Sequence, residues 1–497
     1  MKQFFATEEV SVEPKPGLSE EEERAQMILE TTTKRVGERF ETGLLWKQDN
    51  FTLPNSYPMA LRRLECLERK MNRCPDLKEN LHRQITEYQS KGYAHKATPA
   101  ELTNADPRRI WYLPLGAVTN AKKPGKIRVI WDAAATVNGV SLNSVLLKGP
   151  DQLTSLPGVL FRFRRFEVAV SADIKEMFHQ IRIREADKHS QRFLWRSTPT
   201  EKPEVYLMDV ATFGSTCSPA SAQYVKNLNA KNHSNQFPRA TLAITDCHYV
   251  DDYLDSFKSS TEAQQVAKEV RLIHHNGGFV LRGWRSNNRH VLAELGEVGT
   301  AACKSLVSAY SELIERVLGL LWTPHTDELS FSTQMSTEVQ MLLSSGCRPT
   351  KRQVLRCVMT LFDPLGLLAP FVINGKVLIQ NLWRTGAEWD QKVDDVSFDL
   401  WRKWNQMIEF ISTVRIPRCY FKQATAATYK DAQMHVFTDA SEKAYACAVH
   451  IRVVTKNGKA ECALLAAKAK VAPVKPKSIP RLELEGCELG TRLARHV

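Results

Sequence analysis

A chain of 497 residues exceeds what one hydrophobic core serves, because single cores stop growing near roughly 250–300 residues, so two or three domains are expected. Its 68 Lys and Arg against 55 Asp and Glu give a formal net charge of +13, which favours a polyanionic partner, since each phosphate neutralised releases condensed counterions. The sequence lacks an apolar run of about 18 residues and a charged-then-apolar start, and its 11 cysteines lack CxxC spacing, so a soluble intracellular protein with reduced thiols and neither zinc site nor disulfide framework is expected.

In chain order, residues 1–34 are a polar lead-in, with Ser19 placed to N-cap a helix opening at Glu20-Glu21-Glu22-Glu23. Residues 58–93 read as helical, with Leu61, Leu64, Leu67 and Met71 forming a core-facing stripe. Positive charge clusters at Lys122, Lys123 and Lys126 and again at Arg162, Arg164 and Arg165. Strand alternation sets Val168, Val170 and Ala172 on one face, and Asp173 closes that strand before a helical turn at Glu176-Met177-Phe178-His179.

Residues 241–257 read as a hairpin carrying Tyr249-Val250-Asp251-Asp252. Adjacent carboxylates repel, so such a pair persists when solvated or when a divalent cation neutralises it. With Asp173 it offers three acids, a set able to hold two magnesium ions about 3.5–4 Å apart for phosphoryl transfer. A solvated acidic turn is the plainer alternative.

Ser259 and Glu262 form a capping-box pattern before a helix whose buried face is Ala263, Val266, Val270 and Ile273 and whose end is Asn276-Gly277-Gly278. His274 and His275 are expected to be solvated or to favour the helix C-terminal dipole. Residues 345–425 read as helical, with Trp383, Trp389, Trp401 and Trp404 in the core. A new strand runs from His435 to the acid Asp439, a second spans 446–453, Asn457-Gly458 signals a hairpin, and a return strand at 461–466 precedes a helix from Arg481.

The stretch from Ser171 through Asp173 to Ile181, followed by Tyr249-Val250-Asp251-Asp252, resembles motifs A and C of the reverse transcriptase palm. Phe213-Gly214 with Ser218-Pro219-Ala220 resembles motif B, and Lys126-Ile127-Arg128-Val129-Ile130-Trp131-Asp132 resembles the fingers strand that grips the triphosphate. Tyr112-Leu113-Pro114, Ser141-Leu142-Asn143, Asp363-Pro364-Leu365-Gly366-Leu367 and Ile479-Pro480-Arg481-Leu482-Glu483-Leu484 are similar to the Pao/BEL class of long-terminal-repeat retrotransposon polyproteins. The similarity runs from about residue 35 to the C-terminus.

This resemblance implies an α+β right-hand polymerase fold of fingers, palm and connection, followed by a truncated RNase H-like α/β segment. It divides the chain into a helical region at 35–104, fingers and palm at 105–335, a thumb- or connection-like region at 336–430 and the RNase H-like segment at 431–497. Leu318-Gly319-Leu320-Leu321-Trp322 resembles the primer-grip hairpin.

Among residues, the resemblance implies catalysis and metal binding by Asp173, Asp251 and Asp252, with Arg128, Phe178, Phe213, Gly214 and Tyr249 lining the nucleotide site. Phe178 corresponds to the steric gate against a 2'-hydroxyl, and Asp439 and Glu483 correspond to the first two RNase H acids, the remaining acids lying beyond Val497. Two departures stand out: Phe213 where many relatives carry Gln, and Arg282 where a Lys precedes the Trp. Magnesium, with manganese as substitute, is the implied cofactor. RNA and DNA template-primers and deoxynucleoside triphosphates are the implied partners, with no membrane, in a cytoplasmic virus-like particle with nuclear access. The alternatives are a decayed or domesticated element product that binds nucleic acid without catalysis, and an RNA-templated RNA polymerase, which Phe178 disfavours.

Overall fold

The computed structural model describes residues 17–119, 127–295, 314–332, 337–421 and 429–497; Lys122, Lys123 and Lys126 lie outside them. Helix α1 (Glu20–Thr32) opens with a full capping box, Ser19 and Glu22 each accepting the other's backbone N–H. Residues 58–93 form two helices, α2 (Tyr57–Arg73) and α3 (Pro75–Ser90), because Pro75 cannot donate to the ladder of α2. Leu64, Leu67 and Met71 are buried as the spacing predicts. Strand β1 (Ala94–Lys96) follows, and β2 (Leu115–Thr119) and β3 (Ile127–Trp131) form an antiparallel hairpin.

Strand β4 (Val168–Ile174) passes between two hydrophobic cores. Val168, Val170 and Ala172 pack into the first, built on the N-terminal helices, and Ala169 into the second, built on the C-terminal half. Both faces are therefore covered, and the strand runs one residue past Asp173. Strands β5 (Arg192–Trp195) and β6 (Glu204–Met208) pair in the order β1-β6-β5, and α4 (Ser218–Lys231) follows.

The hairpin expected over 241–257 is shorter than its sequence suggests. Pro238 starts a helix, Pro238–Asp246, that buries Ala240, Ala243 and Ile244, so pairing begins only with β7 (His248–Tyr249) and β8 (Asp252–Phe257). Helix α5 (Ser260–Asn276) carries half a capping box: Ser259 Oγ accepts from Glu262 N, but the Glu262 carboxylate accepts from Lys258 N at 3.1 Å. With β9 (Leu281–Ser286), the central sheet has the antiparallel order β7-β8-β4-β9.

His274 corrects the expectation of a solvated ring. It is fully buried beneath this sheet and stacks on buried His248 with centroids 4.9 Å apart, because α5 turns its last helical turn inward; only His275 is exposed. Burial pushes the His274 imidazole down to about 4 and the buried Lys226 ammonium down to about 7.

Beyond the sheet, β10 (Glu315–Val317) and β11 (Leu320–Thr323) make a hairpin turning at Leu318-Gly319, and β12 (Glu328–Phe331) extends it. Helices α6 (Lys351–Thr360), α7 (Ala369–Arg384) and α8 (Asp395–Ile411) follow, and β13 (Ile416–Pro417) returns to β12. Trp401 and Trp404 are core residues, whereas Trp383 is 45% exposed and meets Trp389 edge-on, with the Lys351 ammonium 3.7 Å from its centroid. Cation–π contact therefore replaces the expected burial of Trp383.

The arginine cluster at 162–165 is not a uniform surface patch either. Arg164 is buried, its guanidinium lying over the Tyr420 ring and donating to the carbonyl of Arg418 at 3.2 Å. Arg418 itself is wholly buried. It donates to both Asp327 oxygens, at 2.6 and 2.9 Å, and to the carbonyls of Phe163, Phe166 and Glu167, tying the entrance of β4 to the β12–β13 pair.

The C-terminal unit is a meander of β14 (Tyr429–Ala440), β15 (Ala444–Thr455) and β16 (Ala460–Val471), longer than the pattern predicts, with α9 (Ile479–His496) packed on β14 and β15. Asp363-Pro364-Leu365-Gly366-Leu367 docks this sheet to the helices. The Asp363 carboxylate accepts from Leu367 N and Leu368 N at 2.9 and 2.6 Å, and Leu365 O accepts from Ala467 N at 2.9 Å. Among the described residues no helix is long and apolar enough to cross a membrane.

Candidate active site

The three sequence-singled acids meet at one end of the central sheet. Asp252 stands directly across from Asp173 in the β8–β4 register, and Ile174 N donates to Asp251 O at 2.9 Å. Between β7 and β8 the turn is only Val250-Asp251, with Val250 at φ +56°, a left-handed conformation costly for a β-branched residue. Gln223 on α4 donates to Val250 O at 3.1 Å and helps to hold that turn.

Crowding raises the acids. The Asp252 carboxyl is pushed up to about 7, chiefly by loss of hydration and then by the negative charge of Asp251, Asp173 and Glu315. Loss of hydration and Asp173 also raise Asp251, while Arg282 and Arg128 oppose the rise. Opposite Asp252, Arg282 on β9 is the other register partner of Asp173 and donates to its Oδ2 at 2.9 Å. Arg285, two residues beyond Gly283, lies 3.3 Å from the Glu315 carboxylate.

An oxygen-only set of crowded carboxylates suits a hard divalent cation in charge and donor type. As the side chains stand, Arg282 supplies the counter-charge at Asp173, and among the described residues no group of three or more His, Cys, Asp or Glu is gathered into a metal-holding cluster. The acids share one end of the sheet and a field rather than a finished ligand shell.

Phe178 rides a 3-10 turn, Met177–Gln180, just after β4, and its ring lies 4.8 Å from that of Phe213. Behind both, buried His179 touches the rings of Tyr88, Tyr93 and Phe213, its imidazole pushed down to about 4 by burial and so neutral. Gly214, at φ +108°, is required by a close backbone approach: a Cβ there would come within 2.3 Å of Trp131 O. The close approach the structure shows is thus to the end of β3. Asn143 fixes this loop, donating to Gly214 O and accepting from Thr216 N, both at 2.9 Å.

Arg128 is exposed on β3, its charge felt at Asp251. Tyr249 is half-buried and packs against the second core. Asp439 on β14 and Glu483 on α9 come together in the separate C-terminal unit, where Ala440 N donates to both carboxylates, at 2.9 and 3.2 Å. Sequence reasoning missed the supporting roles of Gln223 and Asn143; the Ser141-Leu142-Asn143 triplet carried a signal for the second only.

Residues 121–281 match the family model described as reverse transcriptase (RNA-dependent DNA polymerase), and residues 350–497 match the Pao retrotransposon-like RNaseH-like domain. The chain thus carries a segment that matches reverse transcriptases, followed by one that matches the Pao-type RNaseH-like domain. The reverse transcriptase match contains Asp173, Asp251, Asp252, Arg128, Phe178, Phe213 and Gly214, and the Pao-type match contains Asp439, Glu483 and the docking turn at Asp363.

Three solved foamy viral protease-reverse transcriptases share the fold. One, a dRH form with double-stranded DNA, gives a TM-score of 0.54 at 14% identity, covering 100% of this chain and 72% of that one. A second, with an RNA/DNA hybrid, gives 0.50 at 13% identity over 99% of this chain and 55% of that one. A third, with double-stranded DNA, gives 0.50 at 15% identity over 99% and 85%. No curated protein gives a significant match.

Proposed function

We propose that this reverse transcriptase domain copies RNA and DNA templates into DNA for a long-terminal-repeat retrotransposon of the Pao/BEL class, using deoxynucleoside triphosphates. In this reading residues 105–335 are fingers and palm, 336–430 a thumb or connection, and 431–497 an RNase H-like segment. The observation that carries it is the register of Asp252 opposite Asp173, with Asp251 bonded through its carbonyl to the same strand end.

Asp173, Asp251 and Asp252 would hold two magnesium or manganese ions, which when bound supply charge to the attacking 3'-hydroxyl and the leaving pyrophosphate. The chain's own part is positioning. Arg128 would grip the triphosphate bidentately from the β3 strand, a geometry its planar fork suits. Phe178, backed by Phe213, would fill the space a 2'-hydroxyl needs, and Gly214 would keep the loop beneath the new base pair close to the fingers. Template-primer would be drawn by the positive excess of the chain.

The second reading, a nucleic-acid-binding product without catalysis, draws on the Arg282 hold on Asp173. Primer extension by purified protein on paired RNA and DNA templates decides between them. Magnesium-dependent extension on both supports the polymerase, and tight primer-template binding without extension supports the binder.

A further inference from the structure

The turn that carries Phe178 is clamped from outside the segment that matches the polymerase family. Glu176 stands at φ +50°, a left-handed conformation unfavourable for Glu, and it opens the turn Met177–Gln180. Its carboxylate accepts from the Lys91 ammonium at 2.8 and 3.1 Å and from the Tyr93 hydroxyl at 2.9 Å. Tyr93 in turn accepts from Gln180 Nε2 at 3.0 Å, and the same amide group donates to the carbonyls of Lys175 and Glu176 at 3.2 and 3.3 Å.

One hydrogen-bond circuit therefore grips both ends of a four-residue turn. Its anchors are 83 and 85 residues away in sequence, where α3 ends and the chain enters β1. Tyr93 is buried, and its ring lies 5.1 Å from that of His179, which meets Phe213 at 5.0 Å. Phe178 thus has a rigid backing on its own turn and an aromatic wall beside it. A side chain that discriminates by bulk works only if it cannot retreat, so its selectivity depends on whatever fixes its backbone.

Resting on the sugar-gate reading of Phe178, we propose that Lys91, Tyr93 and Glu176 are positioning residues that set the choice between deoxyribose and ribose. The helical N-terminal region is then part of the specificity apparatus rather than a separate support. None of the three needs to touch the nucleotide: they hold the turn that does.

The test compares kcat/KM for dCTP and CTP on one primer-template, using the full chain and its Lys91→Met, Lys91→Arg and Tyr93→Phe variants. Tyr93→Phe keeps the ring among Tyr88 and His179 and removes only the hydroxyl, so folding survives even where Lys91→Met weakens it. The expected result is that Lys91→Met and Tyr93→Phe raise the ribonucleotide share about threefold or more, and that Lys91→Arg, which keeps charge and donors, stays near the parent. Equal loss for both nucleotides at a constant ratio would overturn the proposal, reducing the circuit to structural support, as would no change in either. An unaltered protein that extends with neither nucleotide would instead overturn the polymerase reading on which it rests.

Discussion

Replacing Arg418 with Met tests what joins the two halves of the protein. The side chain is wholly buried, and among the described residues its hydrogen bonds go to Asp327 and to the carbonyls of Phe163, Phe166 and Glu167 ahead of β4. Met fills much of the volume but leaves the Asp327 carboxylate facing a partnerless interior, retaining only the Trp322 indole N–H at 3.1 Å. Breaking a buried pair in this way costs about 3–5 kcal/mol. That is a large part of the roughly 5–15 kcal/mol by which domains are usually stable.

Urea unfolding should therefore show a midpoint displaced downward by that loss divided by the slope, with the slope itself unchanged. Adding Asp327→Asn, which removes the orphaned charge and tolerates the φ of +56° at that position, should recover part of the loss; the carbonyls of Phe163 and Phe166 still lack the Arg418 donor, at about 1 kcal/mol or more each, whereas Glu167 O keeps the Asn287 amide at 2.7 Å. A loss below about 1 kcal/mol for Arg418→Met would refute the reasoning, because the pair would then carry no weight in the fold.

Phe178→Val should raise ribonucleotide incorporation relative to deoxynucleotide while leaving metal dependence intact, read from the two kcat/KM values; an unmoved ratio would make Phe178 an ordinary packing residue. Stability should fall as pH drops from 6.5 towards 4, because unfolded histidines take up protons there while buried His274, pushed down to about 4, does not; the loss at pH 5 is about 2 kcal/mol for that ring, read by thermal melts, and His274→Leu should flatten it. Gly366→Ala should loosen the C-terminal sheet, since its Cβ would lie 1.7 Å from Ala467 O, and limited proteolysis should then release fragments cut near the docking turn.

The sequence made the strand bearing Asp173 and the hairpin bearing Asp251–Asp252 legible, because a short run of β-branched and small apolar residues and a two-acid turn are local patterns. It hid whatever depends on contacts between distant segments. Arg164 reads like its neighbours Arg162 and Arg165 yet is buried against Tyr420, and His274 reads like a helix-end histidine yet stacks on His248. Lys91 and Tyr93 carried no signal at all, since their partner Glu176 lies more than 80 residues away. Pro75 is the opposite case, a local breaker that divides the helical stretch 58–93 and is legible in the sequence alone.

The most direct measurement is primer extension on an RNA template with magnesium and deoxynucleotides, comparing the unaltered chain with Asp251→Asn. The account predicts extension by the first and a loss of about a hundredfold or more in the second, since a missing carboxylate withdraws several kcal/mol of transition-state stabilisation. Near-equal extension by the two proteins would contradict the assignment of these acids, and absence of extension by both would contradict the polymerase itself.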